Sequence, residues 1–213
     1  FDTFLGSISA IAPYFLKIAE ASKNVDDLQE LFTKVRNIGL EAENDMFVFT
    51  GGINTHKGQI FALTLLVSAS SYILHNESET IEMSRLTEVI KEMTTDILTS
   101  ELALIKLKNK DQRTKGEEVY VRYRIPGARG MALKGYAEVY DKGVSFLRNL
   151  IITGVPMRKA LVNTFLNLLV NLQDTNILSR HSLPTLESVQ SVAKQALNFG
   201  GISIFASIPF DET

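Results

Sequence analysis

Cysteine is absent from this 213-residue chain. Without thiols there is no disulfide framework, no thiolate metal site and no cysteine nucleophile. An excess of basic charge is missing as well: 22 Lys and Arg stand against 24 Asp and Glu, a formal net charge of −2. Dedicated nucleic-acid binders carry a basic excess, so that class is disfavoured and only a local basic pocket stays open. Long apolar runs are scarce too. The longest, from Ile60 to Leu74, is interrupted by Thr64, Ser68, Ser70 and Ser71. It falls short of the roughly 20 residues that span a bilayer and reads as a buried core helix, with no membrane partner expected. No basic segment precedes the apolar head of the chain. With the lack of cysteine, this fits a cytoplasmic protein. The three histidines, His56, His75 and His181, have no zinc-type spacing, and no G-x-S-x-G elbow is present.

What is present is helical. Hydrophobic residues make up 45% of the chain and charged residues 22%, enough to build and solvate a sizeable core. Apolar positions recur at threes and fours almost throughout. They predict a first helix through Phe4, Ile8, Ile11 and Phe15, and a second behind an Asn24 cap through Leu28, Leu31, Phe32 and Val35. A third runs from Lys57 to His75 and a fourth from Thr80 to Lys106. Later helices pass through Leu133 to Ile151, Pro156 to Gln173, and Pro184 to Phe199, the last stopped by Gly200 and Gly201. The polar stretch "KNKDQRTKGEE" reads as a loop. "VYVRYRI" alternates apolar and polar residues and is the single strand-like segment. The expected fold class is therefore all-α. Residues 1–213 are expected to form a single multi-helix domain with polar loops at several helix ends.

Three stretches could carry chemistry. In "TGGINTHKG", Gly51 and Gly52 let a ligand approach the backbone closely. Asn54, Thr55 and His56 offer directed hydrogen bonds. Lys57 and Gly58 then open a helix whose first N–H groups attract anions. The spacing is not that of a P-loop, because His56 stands where the second glycine is needed. In "RIPGARG", Arg129 sits between Gly127 and Gly130, where a guanidinium fork can hold phosphate oxygens. In "DTNILSRH", Asp174 and Asn176 are oxygen ligands suited to Mg²⁺, with Arg180 nearby. Residue chemistry alone leaves plainer readings open: a decorated helix cap, a solvated surface turn, and an Asx-turn after a helix end.

The nine-residue core "TGGINTHKG", followed far downstream by "GARG" and "DTN", resembles the triphosphoribosyl-dephospho-coenzyme A synthase family. So do "FDTFLGSISAIAPYF", "GLEAENDMFVFTGG" and "RHSLPTLESVQSVAKQALNFGG", so the likeness covers most of the chain. Met131 departs from the family pattern, which has Glu after the "GARG" turn. Family segments expected before Phe1 and after Thr213 are missing, so the chain corresponds to the middle of such a protein. The resemblance implies a pentosyl transferase that joins ATP to 3′-dephospho-coenzyme A and releases adenine. Its product serves citrate lyase or malonate decarboxylase, through the enzyme that loads the acyl carrier subunit. The implied roles are as follows. His56 is the acid or base, and Asn54 fixes sugar or phosphate oxygens. Gly51, Gly52, Thr55, Lys57, Gly58, Gly127, Arg129, Gly130, Asn176 and Arg180 bind ATP and its phosphates. Asp174 and Glu43 hold Mg²⁺. A homo-oligomer is compatible with it. Two rival readings remain at this point: a magnesium-dependent all-α nucleotide hydrolase, and a non-catalytic helical interaction module.

Overall fold

The computed structural model describes residues 1–201. In chain order the α-helices are α1 (Asp2–Ala21), α2 (Leu28–Thr50), α3 (Lys57–Asn76), α4 (Met83–Leu104), α5 (Lys115–Tyr123), α6 (Gly127–Leu133), α7 (Ala137–Val139), α8 (Ser145–Ile152), α9 (Met157–Asn171), α10 (Thr175–Arg180) and α11 (Leu183–Asn198). No strand occurs among the described residues, so the all-α expectation holds. Within it the chain forms two compact units: Phe1–Leu104 with Ala128–Gly135, and Ile105–Gly127 with the chain from Tyr136. The single-domain span drawn to Thr213 ends outside the described residues.

In the first unit α1 packs on α2 and α3, and α4 closes against both α2 and α3. The buried stripe of α1 is Ser7, Ile11, Tyr14 and Ile18, steps of three and four that place them on one face. On α2 the stripe includes Leu31, Phe32, Val35, Ala42 and Met46. The α2 helix starts at Asp27, whose carboxylate accepts from the Gln29 and Glu30 N–H groups, a strong N-cap. Asn24 does not cap it: Asn24 lies in the left-handed region at φ 52°, shaping the turn before the cap. By length and composition α1 and α3 could cross a membrane. Here one stripe of each packs against its neighbours, while Phe4, Leu5, Ile8 and Leu16 of α1 and Leu63 and Leu74 of α3 are exposed. The serines that interrupt α3 bond across it, Ser68 Oγ to Ser22 Oγ at 2.9 Å and Ser71 Oγ to the Ala19 carbonyl at 2.7 Å.

In the second unit Val119, Ile125, Leu178 and Leu186 form a buried cluster, with Tyr123 and Ile177 packed on it. There α10 meets α5 and α11, and α9 lies along α11. The strand expected at "VYVRYRI" is helix α5. Its alternation of Val and Tyr was read as period two, but the capping box is stronger. Thr114 Oγ1 accepts from the Glu117 N–H, and the Glu117 carboxylate accepts from the Thr114 N–H, which fixes a helix start. Val119 and Tyr123, four apart, then share the packed face. The loop expected before it holds a short 3₁₀ turn, Lys110–Gln112, and the first turn of α5. The helix expected from Leu133 to Ile151 is interrupted. Gly135 and Tyr136 are both left-handed, and Tyr140–Val144 is a π-helical turn.

Candidate functional site

The mouth of α3 is built by the end of α2. Gly51 and Gly52 have φ of 65° and 90°, a region L side chains avoid. The Gly52 N–H closes on the Phe47 carbonyl at 2.8 Å, so the glycines end α2 as a left-handed cap. Thr50 Oγ1 donates to the Ile53 carbonyl at 2.6 Å. Asn54 Oδ1 accepts from the Lys57 N–H at 3.1 Å, which leaves one fewer free donor in the first turn of α3. The His56 N–H lies 3.1 Å from Met46 Sδ and pins the start of α3 to the α2 core.

The His56 side chain is turned inward and only 5% exposed. Its Nδ1 meets Ser7 Oγ and Thr55 Oγ1, each at 3.0 Å. Those hydroxyls are also 3.0 Å apart, and Ser7 donates to the Phe4 carbonyl at 2.9 Å. The Phe4 ring covers the imidazole at 4.3 Å. Both polar contacts fall on Nδ1, so Nε2 carries no hydrogen bond to the described residues. A fixed Nδ1 orients the ring and leaves Nε2 for proton transfer.

Lys57 reaches back to α2: its Nζ is 2.9 Å from Glu43 Oε2. Seven residues earlier on the same helix face, Arg36 pairs with Glu101 of α4. Arg129 of α6 joins the same carboxylate, Nε to Oε2 at 3.1 Å. Burial pushes the Glu101 carboxyl up, but the hydrogen bonds from Arg36 and Arg129 outweigh it and hold the group below the usual range. The Arg36–Glu101 pair lies about 10 Å along α2 from the Lys57–Glu43 pair, by the rise of a helix. On α1, Tyr14 donates to Asp45 of α2, and this bond, with burial, pushes its phenol up to about 12.

In the second unit Gly127 meets Thr175 of the "DTN" stretch. Gly127 is left-handed at φ 56°, and a Cβ there would lie 3.0 Å from Thr175 Cγ2, so a larger residue would be strained and would push Thr175 aside. Asp174 Oδ1 caps α10 through the Asn176 and Ile177 N–H groups at 2.7 and 3.1 Å, which is the Asx arrangement anticipated as the plainer reading. Its Oδ2 makes no bond to the described residues. Asn176 and Arg180 are exposed, and Gly130 is buried within α6.

Of the residues singled out in the sequence, Thr55, His56, Lys57 and Glu43 gather at the α3 mouth. Arg129 pairs with Glu101 of α4. Asp174, Asn176 and Gly127 gather in the second unit. Ser7, Arg36 and Glu101 had not been singled out. The signal for Arg36 was its spacing from Glu43 on α2. Ser7 and Glu101 carried none, because their partners are distant in sequence. His75 is exposed, its Nδ1 donating to the Ser71 carbonyl at 3.0 Å. No group of three or more His, Asp or Glu side chains able to hold a metal occurs among the described residues.

Comparison with known proteins places this chain in a family. A protein from Malonomonas rubra, a probable 2-(5''-triphosphoribosyl)-3'-dephosphocoenzyme-A synthase, is 33% identical over 201 residues, covering 94% of this chain and 63% of that protein. The 2-(5''-triphosphoribosyl)-3'-dephosphocoenzyme-A synthase of Pectobacterium atrosepticum is 34% identical over 211 residues, 98% of this chain and 68% of the relative. Protein CitXG of Leuconostoc mesenteroides subsp. cremoris is 34% identical over 188 residues, 39% of its own length. The chain thus spans somewhat under two thirds of the Malonomonas rubra relative. No solved structure matches. The model of one family, CitG, ATP:dephospho-CoA triphosphoribosyl transferase, matches residues 1–207. On its sequence, and with the "TGGINTHKG" stretch at the mouth of α3, the chain belongs to the ATP:dephospho-CoA triphosphoribosyl transferase family.

Proposed function

We propose that the chain transfers the 5-triphosphoribosyl group of ATP to a ribose hydroxyl of 3′-dephospho-coenzyme A. The bond between the ATP ribose and adenine breaks. The acceptor oxygen bonds to the same anomeric carbon and gives up its proton. Adenine leaves and takes a proton. The transition state is oxocarbenium-like, as in glycoside cleavage, so the residues' tasks are to clamp the triphosphate and to move those protons. His56 Nε2 is the group assigned to proton transfer, with Ser7 and Thr55 holding the ring. Lys57 is the phosphate clamp, Asn54 and Thr55 flank it, and Arg129, held by Glu101 of α4, is a further phosphate-binding residue.

The observation that carries the reading is Gly58. It sits in the first turn of α3 without a left-handed φ, and a Cβ there would meet nothing within 4 Å. Neither backbone nor packing requires glycine, and glycine in a helix costs about 0.5–1 kcal/mol against alanine. Close approach of a ligand to the backbone offsets that cost. Gly58→Ala is therefore expected to raise thermal stability by about 0.5–1 kcal/mol and to weaken ATP binding. An unchanged ATP affinity would remove the cradle. Lys57→Ala is expected to lower ATP affinity about tenfold or more, the worth of a charged hydrogen bond. Calorimetric titration of ATP into the variant checks this, and native affinity would exclude the clamp.

Magnesium fits the donor set as a cation brought with the phosphates rather than one caged by protein. Mg²⁺ keeps several waters and takes one or two carboxylates plus substrate oxygens. Asp174, with a spare Oδ2, is such a carboxylate, and Glu43 is the second candidate. When bound, the ion neutralises phosphate charge. The protein is taken as cytoplasmic and free to form a homo-oligomer, its product passing to the enzyme that loads an acyl carrier subunit. Free adenine, measured by chromatography after incubation with Mg-ATP and dephospho-coenzyme A, is the direct test. Release of phosphate or pyrophosphate instead would make the protein a hydrolase.

A further inference from the structure

A cavity in the second unit gathers three cations that the proposed reaction leaves without a task. It encloses about 240 Å³, and Arg113, Lys115, Arg122 and Glu118 line it over an apolar floor of Val119 and Leu178. Lys115, Glu118 and Arg122 stand at i, i+3 and i+7 of α5, so they share one helix face. Three positive groups face one carboxylate, a net charge of +2 on the lining. That carboxylate, on Glu118, is 3.5 Å from Arg113 Nη1, and Arg113 Nη2 lies 3.4 Å from the Lys106 carbonyl. The third Arg113 donor, Nε, is buried and has no acceptor among the described residues. A charged donor buried without an acceptor is costly and calls for a partner. Lys115 and Arg122 have no ion pair among the described residues. The Arg122 guanidinium instead lies 5.0 Å from the centroid of the neighbouring Tyr123 ring.

We propose that this cavity binds the phosphoanhydride of a nucleotide, a diphosphate group held by Arg113, Lys115 and Arg122. An anion in the cavity would meet the Arg113 guanidinium, and Lys115 and Arg122 would meet the remaining charge with charge-assisted hydrogen bonds. The volume lies below the roughly 300 Å³ at which pockets begin to enclose a drug-sized ligand. It suits a diphosphate, with the rest of the nucleotide outside. Either substrate of the proposed reaction supplies that group, and the site itself does not depend on that reaction being the right one.

The test is titration calorimetry of inorganic pyrophosphate into the full-length protein. A Lys57→Ala background keeps the α3 mouth from contributing. Arg122→Gln and Lys115→Gln alter exposed residues, so the fold should persist, with unchanged circular dichroism and melting temperature. Each is expected to weaken pyrophosphate binding about tenfold, the worth of one charged hydrogen bond. Repeating the titration with ATP and with dephospho-coenzyme A assigns the natural source: the nucleotide whose affinity falls in parallel is the one seated here. Pyrophosphate affinity in Arg122→Gln and Lys115→Gln equal to that of the Lys57→Ala parent, or no pyrophosphate binding by the parent, overturns the proposal. Because binding is read without turnover, this outcome stands apart from success or failure of adenine release.

Discussion

His56→Ala is expected to slow adenine release from ATP and dephospho-coenzyme A by about two to four orders of magnitude, the usual worth of a positioned acid or base. The helical fold should survive. In the native protein the ring is buried, with Nδ1 shared between Ser7 and Thr55. On truncation those two hydroxyls keep each other as partners at 3.0 Å, and Ser7 keeps the Phe4 carbonyl. No buried polar side chain of the cluster is therefore stranded. The lost volume beneath Phe4 costs stability, but the α3 mouth keeps its Asn54 cap and its Met46 contact, since both bond to backbone N–H groups. The discriminating measurement is the split of the kinetic constants: kcat should fall with little change in the KM for ATP. A His56→Ala protein that turns over at the native rate would exclude the role. Ser7→Ala is the companion variant, because a ring held by Ser7 should lose part of kcat when that hold is removed.

Phe32→Ala should cost about 3–5 kcal/mol, as for other fully buried phenylalanines cut back to alanine. Phe32 is 1% exposed on α2, the helix that packs on α1, α3 and α4. Four residues on, the Arg36 guanidinium lies 5.6 Å from its ring centroid. Removing the ring therefore opens a cavity in the first unit and also takes away the surface on which Arg36 rests. Arg36 is one of the two guanidiniums on Glu101, and Arg129 is the other. The structural loss thus reaches the Arg36–Glu101 pair between α2 and α4. For a chain of this size about 2–4 °C of melting temperature follows each kcal/mol, so the midpoint should drop by roughly 6–20 °C. A drop below about 3 °C, a cost near 1 kcal/mol on that scale, would mean the ring is not central to the core. Phe32→Leu, which refills most of the volume, should recover the larger part.

Much of this was legible in the sequence. The α3 boundaries were, because Lys57 follows a cluster of cap-forming residues and the apolar run behind it has helical spacing. Helix α5 was misread, although its Thr114-to-Glu117 capping box was in plain view, because the Val and Tyr alternation of a short segment fits two periods at once. The two left-handed residues at Gly135 and Tyr136 broke a helix that periodicity alone would continue, since apolar spacing does not report φ.

The amino-acid order by itself determined that the chain is helical, where most helices begin and end, and which short stretches hold polar groups beside glycine. Those properties are local: they depend on residues within one or two turns. Tertiary packing alone decided that His56 turns inward onto Ser7, forty-nine positions away, that Glu101 draws Arg36 and Arg129 together, and that Arg113 ends with a buried unmet donor. Such pairings depend on how helices cross. Many sequences with the same spacing would bring other side chains into contact, so only the packed structure selects them.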